Sequence, residues 1–177
     1  KSGARFNPDK AKWFNEQHLR SIPVADLVPA AQALFAGEGV DFTADQTATV
    51  LDMMLERIVF LDDLKAASWL HTAPTTFPAK MLKKRWKDDT DGILNELADE
   101  LRAVTPFEAD PIEAAFKAFL ERKELGFGQV LLPFRIALTG EGGGPSMFAF
   151  AAFLGLDATL DRLTQGMTLI AQQRAQA

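Results

Sequence analysis

Cysteine is absent from the 177 residues. That absence excludes disulfides, thiolate zinc sites and a thiol nucleophile, and it fits a reducing compartment. Histidine is nearly absent: only His18 and His71 occur, far apart and outside any ligand pattern, so surface or capping roles are expected and no metal site. Long apolar runs are also missing. The longest, Met147 to Leu154, falls well short of the roughly 20 residues of a membrane span and suits a buried helix. The opening Lys1-Ser2-Gly3-Ala4-Arg5 lacks the apolar core of a signal peptide, so no membrane role and a cytoplasmic location are expected. A start at Lys rather than Met reads as a cut inside a longer protein. Signatures of catalysis are lacking as well. Ser2, Ser21, Ser68 and Ser146 have no flanking nucleophile elbow. Asp62 and Asp63 are helix neighbours that do not face each other, and they read as a solvated edge rather than an acid–base pair. No catalytic residue is expected in this chain.

What is present is a globular composition, with 47% hydrophobic and 24% charged residues. A chain of this length buries roughly two-thirds of its unfolded surface, enough for one large domain or two small ones. The net charge of −5 argues mildly against a polyanion partner, because phosphate contacts need Lys and Arg. The charges are unevenly spread, however. Lys80, Lys83, Lys84, Arg85 and Lys87 form one basic cluster around Trp86, and the acids concentrate between Asp88 and Glu113. Most such clusters are solvated helix faces, yet a small patch on an acidic protein can serve a polyanion.

Apolar residues recur with helical spacing almost throughout. Asn7-Pro8 supplies an N-cap and a Pro at the first helical position, opening a helix to about His18, with Trp13 and Phe14 expected in the core. A helix from Pro29 to Ala36 should stop at Gly37 and Gly39. Thr43 and Gln46 form a capping box before a helix that carries Ala48, Leu51, Leu55 and Ile58 on one face. A further helix is expected from Leu61 to Leu70. The Pro- and Thr-rich segment His71 to Pro78 divides the chain into a first helical subdomain, 1–72, and a second, 76–177. A short basic helix, Pro78 to Trp86, follows. Leu94, Leu97, Leu101 and Val104 mark the next helix, and Asp110-Pro111 caps another that turns Ile112, Phe116, Phe119 and Leu120 inward. Val130 to Leu138 holds β-branched residues, but Pro133 in its middle would break a ladder, so a helix is expected there too. The last helix repeats Leu160, Leu163, Met167 and Ile170. The fold class is all-α, with stacked helices in an elongated two-subdomain arrangement.

The loudest local feature is Glu141-Gly142-Gly143-Gly144-Pro145. Three consecutive glycines permit positive φ and a close approach of another molecule to the backbone. No Lys and no preceding strand complete a phosphate loop, so a helix C-cap followed by a turn is the plain alternative.

Three segments together resemble the glutamyl-tRNA synthetase family. Ala4-Arg5-Phe6-Asn7-Pro8-Asp9-Lys10-Ala11-Lys12-Trp13-Phe14-Asn15 resembles the GAxFxPxKxxWFN segment that follows the family's catalytic domain. Gln129 to Gly140 is similar to its G-x-V-x-x-P-L-R-x-A-L-T-G stretch, with Phe134 for the usual Leu. Gly144-Pro145, then Phe153-Leu154-Gly155, then a terminal helix with Leu160 and Arg162 resembles the family ending. The likeness implies an all-helical anticodon-binding region of a class I ligase that joins glutamate to its tRNA, lying just after the active site. It implies tRNA(Glu) and the ligase's own catalytic domain as partners, a monomer, and ATP and magnesium as cofactors of the parent enzyme with none bound here. Arg135 and Thr139 match the PxRxALTG run near the anticodon. Gly144, Pro145, Ser146 and Met147 match a turn that contacts an anticodon base. Arg57 falls near the arginine that reads the third anticodon base, and would favour glutamate over glutamine anticodons. Lys80, Lys83, Lys84 and Arg85 would hold phosphates, which positions RNA without specifying it. Two rival readings remain. One is a helical protein-interaction module docking through Met147 to Leu154; the other is a stand-alone enzyme with a phosphate site at the glycine run.

Overall fold

The computed structural model describes residues 7–176. Lys1 to Phe6, of which Ala4 to Phe6 open the first motif, and Ala177 lie outside the described residues. Among the described residues there are helices and turns and no strand, so the fold is all-α. Backbone contacts divide the chain into two compact units, one ending at Ser68 and one beginning at Trp69. The Pro- and Thr-rich segment therefore belongs to the second unit.

The first unit holds α1 (Pro8–Ser21), α2 (Val24–Gly37) and α3 (Ala44–Met54), then 3-10 turns at Leu55–Arg57 and Leu61–Ala66. Asn7 caps α1 as its sequence requires, its side chain accepting from the Asp9 and Lys10 N–H groups. The capping box on α3 also forms, with Thr43 and Gln46 exchanging side chain-to-backbone bonds of 3.2 and 2.9 Å. Leu27, Ala31 and Phe35 of α2 pack against Val50, Leu51 and Met54 of α3, all buried.

Three expectations need correction here. First, α2 begins at Val24 and carries Pro29 inside it. The Pro ring deletes one bond, to the carbonyl of Ala25, but both residues are exposed, so water can take that carbonyl. Second, no α-helix runs from Leu61 to Leu70. That stretch forms 3-10 turns, and Asp63 caps one by accepting from the Val59 and Phe60 N–H groups at 2.9 Å. Asp63 is thus a cap rather than a solvated edge, while Asp62 pairs with Lys65 at 3.4 Å. Third, Trp13 and Phe14 are 53% and 55% exposed, ring against ring, and not in the core. Only Leu19 of α1 is buried, so α1 packs mainly through its C-terminal half. Asn15 of the same motif does pack, donating to the Val59 carbonyl.

The second unit contains α4 (Ala79–Arg85), α5 (Thr90–Arg102), α6 (Ala109–Lys123), α7 (Phe127–Thr139), α8 (Met147–Leu154) and α9 (Leu156–Ala175). The apolar stripes follow the 3.6-residue period, except that Val104 lies past the end of α5, and Asp110-Pro111 fall inside the first turn of α6 rather than capping it. Leu94, Leu97 and Leu101 of α5 meet Ile112, Phe116, Phe119 and Leu120 of α6. Phe116, Phe119, Phe134 and Phe150 are fully buried. Each contributes on the order of 1.5–3 kcal/mol by leaving water. Val130 to Leu138 is helical in α7, with Pro133 inside. Gly166 of α9 lies directly on α7: a Cβ there would stand 2.4 Å from the Ala137 carbonyl oxygen. Only hydrogen at this position lets the two backbones come so close.

Candidate nucleic-acid interface

The turn between α7 and α8 is built from the chain's own end-of-helix chemistry. Gly140 closes α7 in the left-handed region, φ 71°, and its N–H donates to the Ile136 carbonyl. The Thr139 hydroxyl donates to the Arg135 carbonyl at 2.8 Å and accepts from the Glu141 N–H at 3.1 Å. Gly144 follows at φ 144°, a value side chains rarely adopt. Ser146 caps α8, its hydroxyl accepting from the Ala149 N–H.

Arg135 joins the two ends of this turn. Its side chain is 8% exposed, and Nη2 donates to the Pro145 carbonyl at 2.8 Å. A Cβ on Gly144 would stand 2.8 Å from Arg135 Nη1. The glycine is required by its own φ, and a methyl group there would also press on the guanidinium beneath it. Trp69 lies under the same spot and meets Phe150 edge-on at 5.0 Å. Arg162 of α9 braces that pair. Its Nη1 donates to the Trp69 carbonyl at 2.6 Å, and its guanidinium sits 5.8 Å from the Phe150 ring centre. Burial pushes the Arg162 guanidinium below its ordinary value, though arginine still holds its proton at neutral pH.

The structure thus gathers Arg135, Thr139, Gly144, Pro145, Ser146 and Met147 into one turn. It corrects how they could meet a ligand. Arg135, Thr139 and Met147 are 8%, 4% and 1% exposed, and Pro145 is also buried. These side chains hold the turn from below. The surface offered to solvent is the backbone of Glu141, Gly142 and Gly143, with partly covered Gly144 and the exposed Ser146. Backbone N–H and C=O groups at such a bend can pair with base edges without any side chain reaching outward.

Helix α4 stands next to the turn, since a Cβ on Gly142 would touch Met81 Sδ and Cε at 3.4 and 3.2 Å. Lys80, Lys83, Lys84 and Arg85 on that helix are exposed. Arg57 is exposed in the first unit, on the 3-10 turn after α3. Arg20 steadies that turn, its Nη2 donating to the Glu56 carbonyl at 3.0 Å. Trp69, Gly166 and the bracing role of Arg162 carry no periodic or cap signal in the sequence, and only the packing reveals them. Among the described residues no group of three His, Asp or Glu side chains is placed to hold a metal, and no helix is long and apolar enough to cross a membrane.

The comparisons with known proteins agree in kind. A family model described as an anticodon binding domain matches residues 18–167. The chain is 32% identical over 168 residues to a glutamate–tRNA ligase of Christiangramia forsetii, covering 94% of this chain and 33% of that protein. It is 33% identical over 171 residues to the glutamate–tRNA ligase of Phocaeicola vulgatus, covering 96% and 34%. A crystal structure of a glutamate tRNA ligase from Elizabethkingia meningosepticum, in complex with its amino acid, superposes with a TM-score of 0.90 at 30% identity, over 95% of this chain and 34% of that one. The glutamate–tRNA synthetase structure from Elizabethkingia anophelis gives 0.85 at 28% identity, over 94% and 33%. The chain spans about a third of the length of the curated relatives it matches.

Proposed function

The chain belongs to the anticodon-binding-domain family, and on that premise we propose that it reads the anticodon loop of tRNA(Glu) as the helical part of a glutamate–tRNA ligase. The observation that carries the proposal is the turn between Gly140 and Ser146, which exposes Glu141, Gly142 and Gly143 to solvent while Arg135 grips the Pro145 carbonyl from below. Unstacked bases of an RNA loop are read through their edges, and a rigid, glycine-lined bend lets the protein backbone come close enough to do so. Arg135 acts in this reading as a positioning residue. Arg57, exposed on its turn, reads the third anticodon base and separates glutamate from glutamine anticodons. In the same reading the parent is a cytoplasmic monomer, and ATP and magnesium act on the part of the ligase that this chain does not span.

The protein-docking alternative loses most of its surface. Met147, Phe148, Phe150 and Ala151 are buried in the second unit, which leaves only the half-buried Ala149, Ala152, Phe153 and Leu154 of α8 for such a contact. The phosphate-site alternative still lacks a lysine and a strand at the glycine run.

The test is the affinity of the chain for an isolated anticodon stem–loop of glutamate tRNA, with each anticodon base replaced in turn. Each replacement should cost about 1–3 kcal/mol. Equal affinity for cognate and scrambled loops would show that the chain does not read the anticodon. Arg135→Ala should weaken the cognate complex by about 1–3 kcal/mol by releasing the turn.

A further inference from the structure

A second place on this unit has the chemistry of an RNA contact. Met81 of α4 faces the glycine turn, while Leu82, Lys83 and Trp86 look the other way and, with Ala79, Gln173 and Arg174, line an open cleft of about 360 Å³ against the end of α9. That is toward the small end of the roughly 300–1,000 Å³ that small-molecule sites span. Its floor is apolar and fixed. Leu82 and Trp86 are 3% and 2% exposed, and the indole Nε1 donates to Asp91. The Gln173 amide is held on both sides by the Phe77 backbone, accepting at 3.3 Å and donating at 2.7 Å. Its mouth is cationic, with Lys83 and Arg174 exposed.

The α4 cations share with Lys10, Lys12, Arg57 and Arg162 the lack of an ion pair among the described residues, whereas Arg174 at the cleft mouth is paired. Arg20, Lys65, Arg102, Lys117, Arg122, Lys123 and Arg174 each sit in an ion pair. Among the described residues no ion pair engages Lys80, Lys83, Lys84, Arg85 or Lys87. Three carboxylates follow them in sequence. Asp91 accepts from Trp86, Asp89 is exposed, and Asp88 meets Arg174 at 3.4 Å from a fully exposed position. An exposed pair of that length is weak and easily exchanged for another anion.

We infer that this cleft is a second RNA subsite that takes one unstacked base of the strand leaving the anticodon loop, with the adjoining phosphate on Lys83 and Arg174. The inference rests on the anticodon-loop reading above. An apolar floor accepts the flat face of any base, so the subsite adds affinity without choosing sequence. The phosphate displaces Asp88 from Arg174, and the remaining α4 cations follow the backbone.

The experiment titrates the chain with cognate and scrambled anticodon stem–loops over a range of salt. Ala79→Trp fills the cleft and should weaken both loops about tenfold while leaving their ratio unchanged. Lys83→Gln should lower the salt slope by about one. Asp88→Asn frees Arg174 on the surface and should tighten both loops, a gain that misfolding cannot imitate. If wild type discriminates between the loops but Ala79→Trp and Asp88→Asn bind as wild type does, the cleft is no subsite and anticodon reading stands. If wild type binds both loops alike and the variants still move affinity in these directions, the cleft stands and anticodon reading fails. Absence of saturable binding by wild type overturns both.

Discussion

Gly166→Ala puts a methyl group where α9 touches α7. The new Cβ would lie 2.4 Å from the Ala137 carbonyl oxygen and 3.0 Å from its carbonyl carbon and Cα. Favourable contacts of carbon with a neighbouring heavy atom begin near ~3.5 Å, so the helices must part by about an ångström. The obstacle is backbone, which cannot rotate away as a side chain can. Overpacking of this kind costs typically about 1–3 kcal/mol and sometimes more. Ala gains about 1 kcal/mol over Gly in helix propensity, which opposes the loss. With the clash at or beyond the upper end, the net should be a destabilisation of about 2 kcal/mol. In a unit of this size that lowers the midpoint by roughly 8 °C. Urea and thermal unfolding followed by circular dichroism measure it. Gly92→Ala in α5, where nothing lies within 4 Å, is the control and should stabilise by about 0.4–1 kcal/mol. If Gly166→Ala were as stable as wild type or more so, helix propensity alone would govern this position, and the close helix contact would be refuted.

Gly144→Ala should disturb the turn and press on the buried Arg135 guanidinium beneath it. It combines a φ of 144° with a methyl 2.8 Å from Arg135 Nη1, and it should weaken stem–loop affinity by at least tenfold and lower the melting midpoint by roughly 4–12 °C. Asp63→Ala removes two capping bonds to the Val59 and Phe60 N–H groups and should cost about 0.5–2 kcal/mol in urea titration. Arg57→Ala should leave the fold intact and shrink the preference between stem–loops that differ only in the third anticodon base. An unchanged preference would remove Arg57 from the recognition surface.

Where a local rule had one strong reader, the sequence was legible. Asn7-Pro8 and Thr43 with Gln46 name their caps because the side chain that satisfies the orphan N–H groups sits a fixed few residues away. Leu94, Leu97 and Leu101 and the Ile112 to Leu120 stripe were visible because burial on one face leaves a period. Other features depend on what lies across the contact. Pro29 looks like a helix start until its exposure shows that the lost bond faces water. Trp13 and Phe14 have the composition of core, yet each stays more than half exposed among the described residues. The motif around Arg135 identified the turn and its members, but a motif does not say which way a side chain points. The guanidinium proved to be part of the turn's foundation, and the backbone its outer face.

That inward arginine has a kinetic corollary. A bend whose geometry is locked before its ligand arrives gives up little conformational freedom on association. Correct and incorrect loops should then be captured at similar rates and told apart chiefly by how long they stay, because the mismatch is felt only once contact is made. On the proposed reading, accuracy would reside in residence time, enforced by the Arg135–Pro145 hydrogen bond beneath the turn.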